Sequence, residues 1–161
     1  MTHPLSGTVD VPHGRDKGRI LESIALTGAL DDGIRELAVR LIVGLRSDEH
    51  LERLARLHRF VSSLPYYREP IETFQDPMQT AHAGGDCDDR AALTASLAWA
   101  LRYPFRIVST GDPNEPDHYY AIVGWPHADD PAGDAGTTWV TSETSVPAPF
   151  GAHWSALRMP F

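Results

Sequence analysis

The chain has 161 residues, of which 42% are hydrophobic and 22% are charged, and its formal net charge is -8. This composition is typical of one globular domain and excludes a disordered chain, a collagen-like repeat and a coiled-coil rod. The acidic balance argues against nucleic acid as a partner, and the absence of any apolar run of about 18 residues argues against a membrane span.

The first half of the sequence is predicted to be helical. Residues 1–13 contain several prolines and glycines and are expected to form a flexible arm. A helix is predicted over 15–30, and Asp31 with the residue after it can cap a second helix, whose apolar side chains recur with the α-helical period over 34–45. Acidic residues are expected to start a third helix over 47–64, which a proline ends.

The second half combines one apolar helix with strands. The stretch over 65–85 is interrupted by prolines and glycines and is predicted to be irregular. A helix over 87–101 has almost no charge in its interior and should lie in a core. Strands are predicted over 105–110, 118–125 and 137–142. The fold class is therefore α+β, with helices packed on a small antiparallel sheet in a single domain over residues 1–161.

The only cysteine, Cys87, lies at the predicted start of the apolar helix. Asp86 and Asp89 are spaced as a capping box, which places Cys87 at the first helical position. Backbone N–H groups and the helix dipole there stabilise a thiolate, and the same groups can hold an oxyanion. Because acidic neighbours oppose this effect, a thiolate needs a cationic partner. A buried structural thiol is the ordinary alternative for a lone cysteine.

A possible partner system comes from the register of the last two strands. If these strands form an antiparallel hairpin in which Trp125 pairs with Gly136, His118 lies opposite Glu143. Side chains directly opposite share one face of the sheet and approach closely. A carboxylate beside an imidazole orients the ring and stabilises its charged form, which in turn stabilises a thiolate. The prediction depends on the length of the turn, because a slip of one residue reverses the faces.

Three segments resemble the transglutaminase-like cysteine peptidase superfamily, in particular its compact prokaryotic and phage-type members. They are Gly85-Asp86-Cys87-Asp88-Asp89, Asp117-His118-Tyr119-Tyr120 and Trp139-Val140-Thr141-Ser142-Glu143-Thr144. The resemblance covers about residues 65–151 and implies a papain-like α+β fold with the nucleophile at a helix N-terminus. It implies Cys87 as nucleophile, His118 as general base and acid, and Glu143 as the orienting acid, where Asp is commoner. Residues 65–161 are thus expected to form the catalytic core and 15–64 a helical part.

The implied reaction is acyl transfer at a peptide or amide carbonyl through a thioester. Hydrolysis is favoured, as in a cysteine peptidase, and transamidation is the alternative. A second hypothesis is a catalytically silent peptide-binding or phage-assembly module that retains the fold. Gln75 or Gln79 could donate an amide hydrogen to the oxyanion, although an exposed loop amide is the more ordinary explanation for either residue.

We expect no metal and no other cofactor. Asp88 and Asp89 are explained as acids at a helix N-terminus, and no histidine lies at ligand spacing nearby, which disfavours a metal hydrolase. The expected partner is a peptide or protein substrate, with no nucleic acid and no membrane, and the oligomeric state is left open. A single cysteine and the lack of signal-peptide features predict a cytoplasmic protein, with phage association as an alternative.

Overall fold

The computed structural model describes residues 14–68, 73–112 and 115–152, so the arm expected at 1–13 lies outside the described residues. Within these ranges five helices precede three strands. In chain order they are α1 (Gly14–Gly28), α2 (Asp32–Leu41), α3 (His50–Ser63), α4 (Pro77–Ala83), α5 (Cys87–Ala100), β1 (Phe105–Asp112), β2 (Glu115–Trp125) and β3 (Thr138–Ser142). The predicted α+β class, with helices packed on a small antiparallel sheet, is confirmed. None of the described helices is both long and apolar enough to cross a membrane.

The helix starts follow their capping residues. The Asp31 carboxylate accepts the N–H groups of Gly33 at 2.8 Å and Ile34 at 3.2 Å, and it begins α2 where the sequence predicts. The predicted start of α3 at 47 is three residues too early, because α3 begins at His50. The Glu49 carboxylate accepts the Arg46 N–H at 2.6 Å, which folds the acidic residues into a turn before the helix.

The expectation of an irregular stretch over 65–85 is wrong for its second part, which forms α4. The Asp76 carboxylate accepts the Met78 N–H at 2.9 Å, and Pro77 occupies the first turn, where its missing N–H is not needed. Asp followed by Pro is the signal of a helix start, and it is present in the sequence. This helix ends at Ala83, and its C-cap Gly84 lies two residues before Asp86, the N-cap of α5.

The α5 helix is the centre of the core, as its apolar sequence predicts. Every residue from 88 to 98 is buried. One cluster joins this helix to α2 and α3, and a second joins it to α1 and β2. The first includes Ile34, Leu54, Leu57, Leu93 and Leu97; the second includes Leu21, Ile24, Phe74, Ala91 and Tyr119. The start of α5 is therefore fixed against both the helices and the sheet.

The sheet has the strand order β1-β2-β3, with both pairs antiparallel. The predicted register of β2 and β3 is wrong by two residues, because Trp125 pairs with Thr138 and not with Gly136. The Thr137 hydroxyl accepts the Asp134 N–H at 2.9 Å, so Thr137 belongs to the turn and not to the strand. A shift of two residues keeps each side chain on its predicted face.

Candidate active site

The start of α5 is built by two aspartates around Cys87. The Asp86 carboxylate accepts the Asp89 N–H at 3.4 Å, and the Asp89 carboxylate accepts the Asp86 N–H at 3.3 Å. This is the predicted capping box, and Cys87 is the first residue of the helix, as predicted. Its sulfur therefore lies in the first turn, where the helix dipole favours negative charge.

Two glycines allow the chain after α3 to lie against this helix start. The Gly85 N–H donates to the Pro65 carbonyl at 3.1 Å, and Tyr66 pairs with Gly85 in a parallel bridge. Gly84 has a φ of +83°, and a Cβ there would lie 2.1 Å from the Pro65 oxygen. A Cβ on Gly85 would lie 2.6 Å from an oxygen of Asp89. A larger residue at position 84 would therefore push this chain away, and one at position 85 would displace the Asp89 side chain of the capping box.

Arg90 joins three segments around the site, and the sequence reasoning overlooked it. Its buried guanidinium donates to the carbonyls of Gly85 at 3.2 Å, Val61 at 3.3 Å and Thr144 at 2.5 Å, and also to that of Leu64. Burial lowers the pKa of Arg90, and the nearby negative charge of Glu143 opposes this effect. Arg90 is the one basic residue in the sequence of α5, and this is the signal that could have identified it.

His118 and Glu143 are in direct contact. The His118 Nε2 lies 2.5 Å from the Glu143 Oε2, and the other carboxylate oxygen accepts the Ser145 N–H at 2.8 Å. Both side chains are buried. Continuing the observed register would place Tyr120 opposite Glu143, so Glu143 is the diagonal neighbour of His118. Diagonal neighbours are within reach of long side chains, which explains why a glutamate suits this position.

The Cys87 sulfur lies against β2 at Tyr119, which is the residue after His118. The backbone N–H of Tyr119 is directed at the sulfur, and this interaction lowers the pKa of the thiol. Burial and the Asp88 carboxylate act in the opposite direction, and the net effect is to raise the pKa of Cys87. The S–H group donates to the Asp88 Oδ1 at 3.2 Å. The thiol thus lies beside β2, the strand that carries His118.

Two of the carboxylates near the sulfur, those of Asp86 and Asp89, have raised pKa values. Burial raises the pKa of Asp86, and the charges of Asp88 and Asp89 raise it further. Burial also raises the pKa of Asp89, although hydrogen bonds from Gln75 and the Asp86 N–H act against this. These two aspartates therefore bind protons at a higher pH than free acids do, which reduces the repulsion that a thiolate meets.

The two glutamines proposed for the oxyanion lie in different surroundings. The Gln75 amide is buried and donates to the Asp89 carboxylate at 2.8 Å and to the Tyr67 hydroxyl at 3.2 Å. Both of its hydrogens are therefore used, and an oxyanion role for Gln75 would require one of these bonds to break. Gln79 is exposed on α4. For Gln79 the oxyanion role stays a prediction.

His58 supports the segment that follows Glu143, and it was also overlooked. Its Nε2 lies 2.9 Å from the Ala148 carbonyl, and its Nδ1 lies 3.0 Å from the Ser142 hydroxyl. Because a carbonyl only accepts, Nε2 carries a hydrogen. Burial lowers the pKa of His58 and so favours the neutral ring, in which Nδ1 accepts from the Ser142 hydroxyl.

This buried histidine predicts a loss of stability in mild acid. The unfolded chain binds a proton at His58 below pH of about 6.5, whereas the folded chain does so only at lower pH. The contribution of His58 to the free energy of unfolding is therefore complete above that pH and falls as the pH is lowered, with a limiting slope of about 1.4 kcal/mol per pH unit.

The measurement is urea unfolding at pH 7.5 and 5.5 for the wild type and for His58→Gln. Between pH 7.5 and pH 5.5, the free energy of unfolding is expected to fall by about 1 kcal/mol less in the variant than in the wild type. His82→Gln removes an exposed histidine of α4 and serves as the matched control. Parallel pH dependences in the wild type and His58→Gln would contradict the assignment.

The site thus contains a thiol at a helix start, a buried imidazole–carboxylate pair on the adjacent sheet and a set of backbone N–H groups in the first turn of α5. Such a set can supply a nucleophile, a general base and an oxyanion site. What the protein does must be inferred from these side chains. Comparison of the chain with protein-family models, with curated proteins and with solved structures finds no match.

Proposed function

We propose that this protein is a thiol-dependent acyl-transfer enzyme that resembles the transglutaminase-like cysteine peptidases. The observation that carries the proposal is the buried contact of 2.5 Å between His118 and Glu143. His118 lies on β2 beside Tyr119, whose backbone N–H is directed at the Cys87 sulfur. A buried carboxylate on one nitrogen of an imidazole fixes the ring and its tautomer, and it stabilises the imidazolium. This is the chemistry that a cysteine nucleophile needs.

The proposed reaction starts with proton transfer from the Cys87 thiol to His118. Because Nε2–H is donated to Glu143, Nδ1 is the ring nitrogen that takes up the proton. The thiolate attacks the carbonyl carbon, and the backbone N–H of Cys87 helps to hold the oxyanion. The amide C–N bond then breaks as His118 returns its proton to the leaving amine, which leaves an acyl thioester on Cys87.

In the second half of the reaction, His118 takes a proton from an acceptor that attacks the thioester. Water as acceptor releases a carboxylic acid and regenerates the thiol, whereas an amine forms a new amide. The resemblance favours water, and therefore a cysteine peptidase. A peptide or protein substrate suits the exposed aromatic side chains of Tyr66 and Tyr67, which follow α3 beside the Gly84–Gly85 turn.

The test is to trap the thioester. The full chain is incubated with a mixture of peptides, quenched in acid and analysed by intact mass and by mapping of the modified residue. We expect an acyl adduct on Cys87, none on Cys87→Ala, and alkylation of Cys87 by iodoacetamide at pH 7 that is faster than for a free model thiol and slower in His118→Ala. Alkylation of the wild type no faster than that of the model thiol would falsify the proposal.

A second candidate function is a catalytically silent peptide-binding or phage-assembly module. It is favoured by one observation, the S–H of Cys87 donated to Asp88 in a setting where burial raises the pKa of the thiol. Such a module would bind a peptide without cleaving it, and Cys87→Ser would bind equally well. Slow alkylation of Cys87 combined with peptide binding would therefore favour the module over the enzyme.

A further inference from the structure

A buried lysine of the first helix reaches the start of α5. The Lys17 Nζ lies 2.6 Å from the Asp88 Oδ2, and the two side chains are 11% and 4% exposed. Lys17 lies in the first turn of α1, outside the region of about 65–151 that carries the family resemblance. A lysine is seldom buried to this extent unless its charge is paired.

Aromatic rings hold the ammonium group of Lys17 in place. Its Nζ lies 5.1 Å from the centre of the Tyr119 ring and 5.9 Å from that of Phe74. Tyr119 is the residue whose backbone N–H is directed at the Cys87 sulfur. The cation is therefore fixed by attraction to the rings, on the side of the site where β2 meets α5.

One carboxylate connects this cation to the nucleophile. Asp88 uses Oδ2 for Lys17 and Oδ1 to accept the Cys87 S–H at 3.2 Å. When the thiol loses its proton, this hydrogen bond is lost and two negative charges lie side by side in a buried site. Without a cation, the arrangement would strongly favour the thiol over the thiolate.

We propose that Lys17 is a positioning residue for Cys87, which holds Asp88 by its distal oxygen and neutralises it so that the thiolate can form beside it. The proposal rests on the proposed function only in taking the thiolate as the reactive form. During the reaction the thiol proton passes to His118, while Asp88 stays paired with Lys17. The first helix thereby becomes a part of the site.

Several other titratable groups interact with the Cys87 thiol. They are Asp86 and Asp88 at the start of α5, Tyr119 on β2 and Tyr66 after α3, and Asp89 and His118 are chain neighbours of Asp88 and Tyr119. All of them are retained when Lys17 alone is substituted. A comparison of variants at that one position therefore isolates its effect on the thiol.

The experiment measures the rate of Cys87 alkylation by iodoacetamide against pH, on the full chain. In Lys17→Met we expect the midpoint to rise by about one pH unit and the rate at pH 7 to fall about tenfold. Lys17→Arg keeps the cation and should restore most of the wild-type profile. Asp88→Asn should lower the midpoint, and the double variant Lys17→Met/Asp88→Asn should lie at or below the wild-type midpoint.

Circular dichroism and thermal melting establish that each variant is folded. A folded Lys17→Met with the wild-type midpoint would overturn the proposal. If Lys17→Met does not fold, Asp88→Asn decides, since an unchanged or higher midpoint there also overturns it. The proposed function is tested separately, and it fails when wild-type Cys87 is alkylated no faster than a free thiol. The role of Lys17 is tested by the difference in alkylation midpoint between the variants and the wild type.

Discussion

Replacing Glu143 by glutamine is expected to slow thiol-dependent turnover by about a thousandfold. The Glu143 carboxylate lies 2.5 Å from the His118 Nε2 and is buried, so its charge acts on the imidazolium with little screening. Glutamine removes that charge, and its NH2 group facing Nε2 would favour the tautomer that has its hydrogen on Nδ1. That tautomer cannot accept the thiol proton at Nδ1. Loss of the corresponding carboxylate in a serine protease triad has an effect of about 10⁴-fold.

The fold should survive this substitution, because a glutamine oxygen can still accept the Ser145 N–H. Turnover of the peptide found by trapping gives the primary measurement, and the alkylation rate of Cys87 at pH 7 gives a second that needs no substrate. Glu36→Gln removes an exposed carboxylate of α2 and is the matched control. Wild-type turnover in a folded Glu143→Gln variant would exclude Glu143 from the site.

Glu143→Asp provides a test of geometry within the same prediction. The observed register makes Glu143 a diagonal neighbour of His118, so the contact depends on the length of the glutamate side chain. Aspartate keeps the charge but is shorter by one methylene. We therefore expect an intermediate turnover, below the wild type and above Glu143→Gln. Full activity in the aspartate variant would mean that the chain after β3 moves to close the distance.

Sequence reasoning succeeds where the determinants are local. The capping residues Asp31 and Asp86 use their own carboxylates to satisfy N–H groups two or three residues away, so the starts of α2 and α5 are readable from the sequence. The same rule would have identified α4 from Asp76 and Pro77. The apolar interior of α5 likewise predicts its burial without any knowledge of its neighbours.

The register of the hairpin could not be obtained in this way. It depends on how the residues between β2 and β3 fold back on themselves, and Asp134 draws Thr137 into a turn instead of leaving it in the strand. The error amounts to two residues, which is one full period of a strand. His118 and Glu143 therefore remain on one face, and the longer side chain of Glu143 spans the diagonal.

The contacts of Arg90 and Lys17 connect parts of the chain that are far apart in sequence. Arg90 contacts carbonyls of α3, of the glycine turn and of the chain after β3. No feature of the sequence near Arg90 predicts these contacts. Lys17 reaches Asp88 because α1 packs along α5. The apolar run that follows Arg90 indicates that its charge has a partner, but only the tertiary structure identifies that partner. Lys17 lies among other charged residues of α1, so its burial could not be predicted from the sequence.

Arg90→Met is expected to destabilise the folded state by about 3–5 kcal/mol. Methionine is apolar and fills part of the space of the aliphatic portion of Arg90. It donates no hydrogen bond to the buried carbonyls that accept from the guanidinium in the wild type. Each buried carbonyl left without a donor costs about 1–3 kcal/mol of folding free energy. The variant no longer buries a charge, and this gain offsets only part of that cost. Two of the carbonyls, of Val61 and Leu64, belong to the end of α3, where a cation is also favoured by the helix dipole.

Guanidinium-induced unfolding of Arg90→Met and the wild type measures this difference, with Arg40→Met, an exposed arginine of α2, as the matched control. Arg90→Lys separates charge from geometry, because an ammonium keeps the charge but cannot span carbonyls that lie in different directions. We expect it to recover only a minor part of the loss. A destabilisation below about 1 kcal/mol in Arg90→Met would mean that water or a rearranged chain replaces the guanidinium, and that the chain after Glu143 is held by other contacts such as those of His58.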